Sequence, residues 1–252
     1  MTALDECAPW SIVSSVFSES AHLYDAIYRA FKDYAAEATT ISTLVRAMHP
    51  NPKTILDVGC GTGEHALHLH DNHRFAVDGL DRDPGLLAIA REKLPDARFF
   101  EGDMASFDVG HRYDIVMCLF SSIGYLQTLE RITAALQCFR RHLAEDGVIV
   151  VEPWFAPGVL NVGPGSTRRA EAGGVRVERT SHTTIDGRLS TLLFDYRIED
   201  ASGVKVAREV HELGLFTATE MMASFQDAGL KATFDPSGLT GRGLYVAKAT
   251  RS

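Results

Sequence analysis

A glycine-rich loop directly after a short apolar strand constrains this chain more than any other stretch. Residues 54–63 read T-I-L-D-V-G-C-G-T-G, so the predicted strand contains an acid and opens into three closely spaced glycines. Glycine at positions 59 and 61 permits positive φ and lets a ligand approach the backbone. Residues 64–70 are predicted to begin a helix whose free N–H groups face the same ligand. The stretch therefore predicts a binding site for a small-molecule cofactor.

Acidic residues follow the next two predicted strands. The second strand, residues 76–80, is followed by Asp81, whose carboxylate can hold ribose hydroxyls with two hydrogen bonds. The third strand, residues 98–101, is followed by Gly-Asp-Met at 102–104, where an acid and a soft apolar side chain can flank an adenine ring. A second interpretation stays open, because the Asp-Pro pair at 83–84 matches a helix N-cap.

Apolar periodicity predicts that helices and strands alternate through the first part of the chain. Apolar residues at positions 41, 44, 45 and 48 mark a helix over residues 24–48. Further helices are predicted at 84–93 and 129–143, and further strands at 113–120 and 147–152. Such alternation is typical of α/β proteins that have a parallel sheet with helices on both faces.

The pattern changes after residue 153. Three successive strands are predicted at 174–185, 188–200 and 204–216, and the Asp-Gly pair at 186–187 is a strong hairpin signal. A helix at 219–228 and strands at 231–234 and 243–248 then return to the first sheet as an antiparallel pair. The predicted organisation is an arm of residues 1–23, a cofactor-binding domain of residues 24–155 and 217–252, and an antiparallel β insertion of residues 156–216 that covers the site.

The composition narrows the possible partners and compartments. The chain has 252 residues and a formal net charge of −8, which argues against general binding to nucleic acid or an anionic membrane. Acids at positions 5 and 6 argue against a secretory signal, and the longest strongly apolar run, residues 148–151, is too short for a membrane span. The 4 cysteines include no C-x-x-C pair, as is typical of reduced thiols. A cytoplasmic protein is predicted.

Four histidines between residues 65 and 73 suggest a metal site, which the spacing disfavours. His65 and His68 can share a helix face, whereas His70 lies well round the helix from both. The Asp-Asn pair at 71–72 is predicted to break the helix before His73. No metal is therefore predicted.

The glycine loop, Asp81 and the Gly-Asp-Met tripeptide together resemble the motifs of class I S-adenosylmethionine-dependent methyltransferases. A nicotinamide-binding domain is less consistent with them, because its glycines follow G-x-G-x-x-G and this loop reads G-x-G-x-G. The resemblance implies a Rossmann-like methyltransferase sheet and S-adenosylmethionine as the cofactor. The residues predicted to bind it are Tyr34, Asp57, Gly59, Gly61, Gly63, Asp81, Arg82, Asp103, Met104 and Leu119.

A closer resemblance covers roughly residues 24–248. Four segments are similar to those of the N,N-dimethyltransferases that finish nucleotide-linked amino deoxysugars of the desosamine and mycaminose type: K-D-Y-A-A-E-A at 32–38, F-S-S-I-G-Y at 120–125, V-E-P-W at 151–154 and S-G-L-T-G-R-G-L at 237–244. The resemblance implies that the acceptor is a nucleotide-linked amino sugar in natural-product biosynthesis, and it allows a homodimer. It assigns the acceptor to Tyr28 and Trp154, its diphosphate or nucleotide to Arg242, and acceptor orientation to Tyr125.

Strand parity adds one candidate independently of the resemblance. Arg179 shares parity with Val175 and Val177, so it is predicted on an apolar face, where a substrate phosphate would give it a bidentate partner. Two alternatives stay open, a β-bulge that reverses the parity and an ion pair with Asp195 or Glu209. The adjacent arginines at 168 and 169, in a glycine-flanked segment, are weaker candidates.

The predicted reaction is an in-line displacement that moves a methyl group from a sulfonium to a nitrogen. The enzyme then mainly aligns the two reactants and excludes water. The alternatives are a metal-independent O-, C- or N-methyltransferase of another metabolite, a metal-assisted catechol-type enzyme, an NAD-dependent oxidoreductase and a noncatalytic binding module. The metal-assisted class is disfavoured, because Ser-Ser at 121–122 follows the fourth strand in place of a cluster of oxygen ligands.

Overall fold

The structure, a computed structural model, describes residues 25, 27–29, 31–160 and 162–250. The predicted arm of residues 1–23 lies outside the described residues. The prediction of one helix over residues 24–48 is wrong, because helix α1 spans only Tyr34–Met48. Asp33 explains the break, since its side chain accepts a hydrogen bond from the Ala36 N–H and caps the helix. Residues 25 and 27–29 are also helical and are called the amino-terminal segment.

The remaining helices begin and end close to the predicted positions. They are α2 (Glu64–His73), α3 (Pro84–Lys93), α4 (Leu129–Arg141) and α5 (Ala218–Asp227). Asp83 caps α3 with Pro84 in its first turn, and Thr217 and Glu220 form a capping box on α5. The predicted break at residues 71–72 is wrong, because α2 continues to His73 and ends at Arg74 in left-handed geometry. No helix in the described part of the chain is long and apolar enough to cross a bilayer.

The strands form two sheets. In chain order they are β1 (Thr54–Val58), β2 (Ala76–Asp81), β3 (Phe99–Glu101), β4 (Tyr113–Cys118), β5 (Leu143–Val151), β6 (Ser166–Ala172), β7 (Val175–Asp186), β8 (Leu189–Asp200), β9 (Gly203–Gly214), β10 (Leu230–Asp235) and β11 (Leu244–Ala249). The first sheet has the order β10-β11-β5-β4-β1-β2-β3, and the second has the order β6-β7-β8-β9.

The first sheet confirms the predicted α/β fold with a Rossmann-like methyltransferase sheet. Strands β1 to β5 are parallel, and β10 and β11 add the predicted antiparallel pair at one edge. Alternation along β1 places Leu56 and Val58 in the core beneath α4 and α5, whereas Ile55 lies in the core on the side of α1, α2 and α3. Because the strands are parallel, the carboxyl ends of β1 to β4 meet at one edge.

The second sheet is antiparallel and contains one strand more than predicted. The Asp-Gly hairpin between β7 and β8 is confirmed, with Gly187 at φ 56°. The additional strand is β6, where the adjacent arginines Arg168 and Arg169 pair with β7. The sequence S-T-R-R-A-E-A has little of the apolar alternation that marks a half-buried strand, which is why β6 was not predicted. How the chain divides into folding units stays a prediction.

Candidate active site

The glycine loop joins β1 to α2 and is fixed to the end of β2. Gly59, Gly61 and Gly63 all have positive φ, and the Gly59 N–H donates to the Leu80 carbonyl at 2.7 Å. A Cβ atom on Gly59 would lie 2.7 Å from the Cβ of Ser122, so the loop packs closely against the segment after β4. A Cβ atom on Gly61 would meet nothing within 4 Å among the described residues, which leave that side of the loop open to a ligand.

Asp81 holds the loop with the carboxylate that was predicted to bind ribose. Its Oδ2 accepts from the Gly61 N–H at 2.8 Å, and its Oδ1 accepts from the Asp83 N–H at 3.0 Å. An ionised carboxylate has about four acceptor positions, so these two bonds orient it and leave capacity for hydroxyl donors. Burial raises the pKa of Asp81. Asp83 makes the neighbouring helix cap. The predicted ribose-binding acid and the predicted N-cap are therefore two different residues, Asp81 and Asp83.

Asp57 is the most strongly perturbed acid of the site. It is buried, its Oδ2 has no hydrogen-bond partner among the described residues, and burial together with the charge of Asp81 raises its pKa to about 8. A buried carboxyl group without a donor holds its proton at neutral pH. A cation placed beside it favours the ionised form, so Asp57 is suited to a positively charged part of a ligand.

The other predicted cofactor residues lie at different depths around the same edge. Asp103 is half-exposed and accepts from the Ala105 N–H at 2.8 Å and from Arg131 Nη2 at 2.7 Å. Arg82 is exposed at the rim, whereas the side chain of Leu119 is buried in the core. Leu119 therefore offers a ligand only its backbone.

Met104 and Tyr34 complete the predicted cofactor set. The Met104 Cε atom would lie 3.6 Å from a Cβ on Gly59, so this side chain lies against the glycine loop. The Tyr34 ring is buried at the start of α1 and meets the His65 ring edge-on, with 4.9 Å between centroids. The structure thus brings Asp57, Asp81, Met104 and the glycines to one edge, and their roles in binding stay predictions.

Hydrogen bonds and partly buried ion pairs join the amino-terminal segment to the glycine loop and the start of α2. Asp25 accepts from Thr62 Oγ1 and from Lys93 Nζ, both at 2.5 Å, and Arg29 Nη2 donates to Glu64 at 2.6 Å. Lys93 also contacts Glu64. Periodicity missed this cluster because its members belong to the amino-terminal segment, the glycine loop, α2 and α3. The amino-terminal segment is therefore held against the start of α2, next to the loop.

His65 is part of a buried hydrogen-bonded group. Its Nε2 lies 2.8 Å from Glu37 Oε2, and the same carboxylate contacts Lys32 Nζ. Burial lowers the pKa values of both Lys32 and His65. Among the described residues no group of three or more His, Cys, Asp or Glu side chains is arranged to hold a metal ion.

The segment after β4 carries backbone strain. Phe120 and Ser121 have φ values of 52° and 66°, a region that non-glycine residues rarely occupy and that is typical of functional sites. Glu152, at the end of β5, stabilises this geometry by accepting from the Phe120 N–H at 2.7 Å. Tyr28 packs edge-on against the Phe120 ring, with 5.2 Å between centroids.

Glu152 also fixes Arg242. Its fully buried carboxylate accepts from Arg242 Nη2 at 3.1 Å and from Thr240 Oγ1 at 2.6 Å. The guanidinium Cζ lies 5.1 Å from the centre of the Phe120 ring and 6.0 Å from that of Trp154. Sequence reasoning missed Glu152, although a charged residue directly after an apolar strand is a usable signal. The charge of Arg242 is partly compensated within the protein, while its Nε has no hydrogen-bond partner among the described residues.

Trp154 connects the two sheets. Its indole N–H donates to Ser190 Oγ on β8 at 2.8 Å, and Ser190 Oγ donates to the Leu213 carbonyl on β9. A Cβ on Gly124 would lie 3.0 Å from the Cβ of Trp154, so the short 3-10 helix Ser122–Leu126 packs directly beneath. The second sheet thereby lies over the carboxyl edge of the first.

One face of the second sheet is turned toward the amino-terminal segment and is called the inner face. Along each strand of this sheet, every second side chain lies on the inner face, as strand alternation predicts. Its members in successive cross-strand rows are Arg168, Arg179, Tyr196 and Ala207, then Ser181, Phe194 and Glu209, then Leu192 and His211. Ile27 packs against this face together with Val177, Phe194 and Tyr196.

Arg179 is buried on the inner face, as its parity predicts. It is 4% exposed, and its Cζ lies 5.0 Å from the Tyr28 ring centre and 4.3 Å from that of Phe194. Its Nε and Nη1 atoms have no hydrogen-bond partner among the described residues. An ion pair with Asp195 is wrong as an alternative, because Asp195 binds Arg208 at 2.6 Å.

Tyr125 reaches the inner face from the 3-10 helix. Its hydroxyl lies 2.8 Å from His211 Nδ1 on β9, and its side chain is 39% exposed. Sequence reasoning did not identify His211, because it depends on knowing which face of β9 is covered. Tyr28 and Arg242 thus lie against Phe120, Trp154 lies near Arg242, and Arg179 and Tyr125 lie at the second sheet. Their contacts with an acceptor stay predictions.

Comparison with known proteins places this geometry in a family. Residues 55–147 match a family described as a methyltransferase domain. The dTDP-3-amino-3,6-dideoxy-alpha-D-glucopyranose N,N-dimethyltransferase of Streptomyces fradiae is 40% identical over 230 residues, covering 90% of this chain and 90% of that protein. The crystal structure of Streptomyces venezuelae DesVI is similar with a TM-score of 0.86 and 38% identity, covering 91% of this chain and 98% of that one.

A further solved structure has the same architecture. CalS10 of Micromonospora echinaspora, described as an amino pentose methyltransferase bound to SAM, has a TM-score of 0.81 and 37% identity, covering 90% of this chain and 97% of that one. These similarities extend far beyond the glycine loop and confirm the predicted resemblance. The chain belongs to the methyltransferase family that includes the amino-sugar N,N-dimethyltransferases.

Proposed function

We propose that this protein transfers methyl groups from S-adenosylmethionine to the amino group of a nucleotide-linked amino deoxysugar. The observation that carries the proposal is the pair Arg168 and Arg179, which face each other across β6 and β7 on the inner face. Like charges directly opposite on neighbouring strands are unfavourable. A diphosphate would offset this repulsion and give the buried Nε and Nη1 of Arg179 their missing acceptors.

The edge of the first sheet fits the proposed cofactor. The side of Gly61 that the described part of the chain leaves open can admit a nucleoside, and Asp81 has acceptor capacity left for its ribose. The Oδ2 of Asp57, which no described residue contacts through a hydrogen bond, suits the α-ammonium of the methionine portion. When bound, S-adenosylmethionine supplies a methyl group on a positively charged sulfur. CalS10, at 37% identity, is described as SAM-bound, which supports the same cofactor here.

The protein's own contribution is mainly alignment. Tyr28 packs edge-on against Phe120, and Arg242 lies near both the Phe120 and the Trp154 rings, so these aromatic side chains can hold a sugar and exclude water from the reacting groups. Aromatic faces also attract a cationic amine, at about 0.5–2 kcal/mol for each contact. Arginines on the inner face would hold the nucleotide end, so binding energy far from the nitrogen positions the amine. No covalent intermediate with the protein is needed.

The type of acceptor atom tests this proposal directly. The protein is incubated with S-adenosylmethionine carrying a labelled methyl group and with two dTDP-sugars that differ only in an amino or a hydroxyl group at one carbon. We expect label on the amino compound and none on the hydroxyl compound. Equal labelling of both, or labelling of the hydroxyl compound alone, would identify an O-methyltransferase and contradict the proposal. A homodimer, compatible with the resemblance, is a separate proposal that sedimentation of the full chain tests.

We expect cofactor affinity to depend on pH through Asp57. Its pKa of about 8 in the free protein means that it is mostly protonated at neutral pH. A cationic ligand favours the ionised form, so binding should release a proton, and affinity should rise with pH by up to about tenfold per unit until pH 8. Calorimetry with S-adenosylhomocysteine in two buffers of different ionisation enthalpy measures both quantities.

Asp57→Asn is the matched variant for this prediction, since it keeps the shape and removes the titration. It should bind more weakly at pH 8 and show little pH dependence. Asp57→Asn should also raise the stability of the ligand-free protein near neutral pH, because the native state no longer has to hold a proton that the unfolded chain releases. Affinity of the unaltered protein that is constant from pH 6 to pH 8, with no proton released, would contradict the role of Asp57.

A further inference from the structure

A row of polar side chains runs from Tyr125 into the interior of the second sheet. Tyr125 Oη lies 2.8 Å from His211 Nδ1, and His211 Nε2 lies 3.4 Å from Glu209 Oε2. Tyr196 donates its hydroxyl proton to the same Glu209 oxygen at 2.8 Å. Tyr125 is 39% exposed, whereas the other three side chains are buried. The row therefore begins at the open side of the site and ends inside the protein.

Strand alternation explains the arrangement. Glu209 and His211 are two residues apart on β9, so both side chains lie on the inner face. The His211 ring packs against Phe194, with 4.8 Å between centroids. His211 faces Tyr125 from the 3-10 helix and Glu209 on its own strand, and Tyr196 on β8 binds the same Glu209. Arg179 on β7 lies over the Phe194 ring that His211 contacts, and Tyr28 of the amino-terminal segment packs against Arg179.

The contacts on the two ring nitrogens of His211 favour one tautomer. Nε2 faces a carboxylate, which attracts a proton to that nitrogen. Nδ1 is then an acceptor for the hydroxyl proton of Tyr125. A phenol that donates to a histidine presents its oxygen lone pairs on the exposed side, where an ammonium group can donate to them. Tyr125 thus has an acceptor on the pocket side and a proton acceptor behind it.

We propose that His211, supported by Glu209, accepts through Tyr125 the proton that the acceptor amine must lose before methylation. This inference rests on the proposed function, because it needs an amine as the acceptor. The ammonium N–H passes its proton to Tyr125 Oη while the Tyr125 hydroxyl proton passes to His211 Nδ1. The amine then has a free lone pair, and the imidazolium lies beside the Glu209 carboxylate.

The methyl transfer to the amine nitrogen that follows conserves atoms and charge. The nitrogen lone pair forms the N–C bond, the S–C bond breaks, and its electron pair stays on sulfur as a neutral thioether. The nitrogen again becomes an ammonium, now carrying a methyl group. His211 Nδ1 then returns its proton to Tyr125 Oη while the Tyr125 hydroxyl proton passes to a water molecule, which prepares the row for a second methylation. His211 acts through Tyr125 and is therefore a positioning residue for the proton.

The pH profile of kcat/KM tests this role with His211→Gln. At pH 7 we expect kcat/KM for the nucleotide-linked amine to fall by about 10- to 100-fold, at the lower end of what a positioned proton acceptor contributes. The deficit should shrink as the pH rises toward the range in which a free sugar ammonium loses its proton unaided. His182→Gln is the matched control, because His182 is exposed on the opposite face of the same sheet and should leave the profile unchanged.

Tyr125→Phe provides an independent test at a half-exposed position. It should reproduce the profile of His211→Gln, and the double variant should lose no more than either single variant, since both interrupt one row. Affinity for S-adenosylhomocysteine should stay within about twofold in all variants. Profiles parallel to that of the unaltered protein, or fully additive losses, would overturn the inference. Failure of the unaltered protein to methylate the amine would instead overturn the proposed function.

Discussion

Gly59→Ala should lower the affinity for S-adenosylhomocysteine by about 100-fold or more. The substitution places a Cβ at φ +73°, where an L-residue is strained by roughly 1–2 kcal/mol, and 2.7 Å from the Cβ of Ser122. Neither atom can move easily, because Ser122 begins the 3-10 helix and the Gly59 N–H is bonded to Leu80. The loop must therefore shift away from the ligand position. Calorimetry measures the loss.

Two other substitutions separate the causes of this effect. Gly110→Ala has a similar φ of +64° but meets no atom within 4 Å, so it should cost stability and leave cofactor affinity intact. Ser122→Gly removes the atoms that the added methyl group at position 59 would strike, and combining it with Gly59→Ala should restore part of the affinity. Gly59→Ala with normal affinity would mean that this loop does not determine the shape of the cofactor site.

Arg179→Met should raise the KM for a nucleotide-linked acceptor by about 100-fold and leave cofactor affinity nearly unchanged. Methionine keeps the apolar contacts between Tyr28 and Phe194 but removes the donors for a phosphate. Hydrogen bonds to a charged group contribute about 1.5–3 kcal/mol each, and two of them account for a change of this size. Steady-state kinetics with varied acceptor and saturating cofactor measure it.

Arg208→Met is the control for Arg179→Met. Arg208 lies on the same sheet and binds Asp195 on the other face, so its loss should leave the acceptor KM unchanged. If Arg179→Met weakens cofactor binding and leaves the acceptor KM unchanged, this arginine belongs to the other half of the site. Arg242→Ala should also raise the acceptor KM. It removes the salt bridge of the buried Glu152, so stability must be measured beside the acceptor KM.

The cofactor edge could be predicted from sequence because its signals are local. Asp57 and the glycines lie within seven residues, and parallel strands carry Asp81 and Asp103 to the same edge whatever the tertiary detail. The break at Asp33 was missed although its signal, an N-cap residue, is also local. The apolar stripe in α1 favoured a longer helix, and the N-cap at Asp33 favoured a helix that begins after it.

The acceptor side could be predicted only in part, because it is assembled from distant segments. The alternation of side chains along β7 correctly predicted that Arg179 lies on a buried face, but it did not identify the residues that contact Arg179 there. His211 belongs to the site only through a contact with Tyr125, which is 86 residues away in the chain. Glu152 accepts hydrogen bonds from Phe120 and Arg242, and no rule of sequence spacing connects these three residues. Such contacts depend on how the second sheet lies over the first.

The proposed function is tested by comparing methyl transfer to a dTDP-linked amino deoxysugar with transfer to the same amino sugar without its nucleotide. Both reactions are followed by mass spectrometry with S-adenosylmethionine in excess, and kcat/KM is determined for each acceptor. Because the inner-face arginines and Arg242 would bind the nucleotide portion, we expect kcat/KM to be about 1000-fold or more higher for the nucleotide-linked form. The product should carry one or two methyl groups on nitrogen. Equal kcat/KM values for the two acceptors, or no transfer to either, would contradict the account.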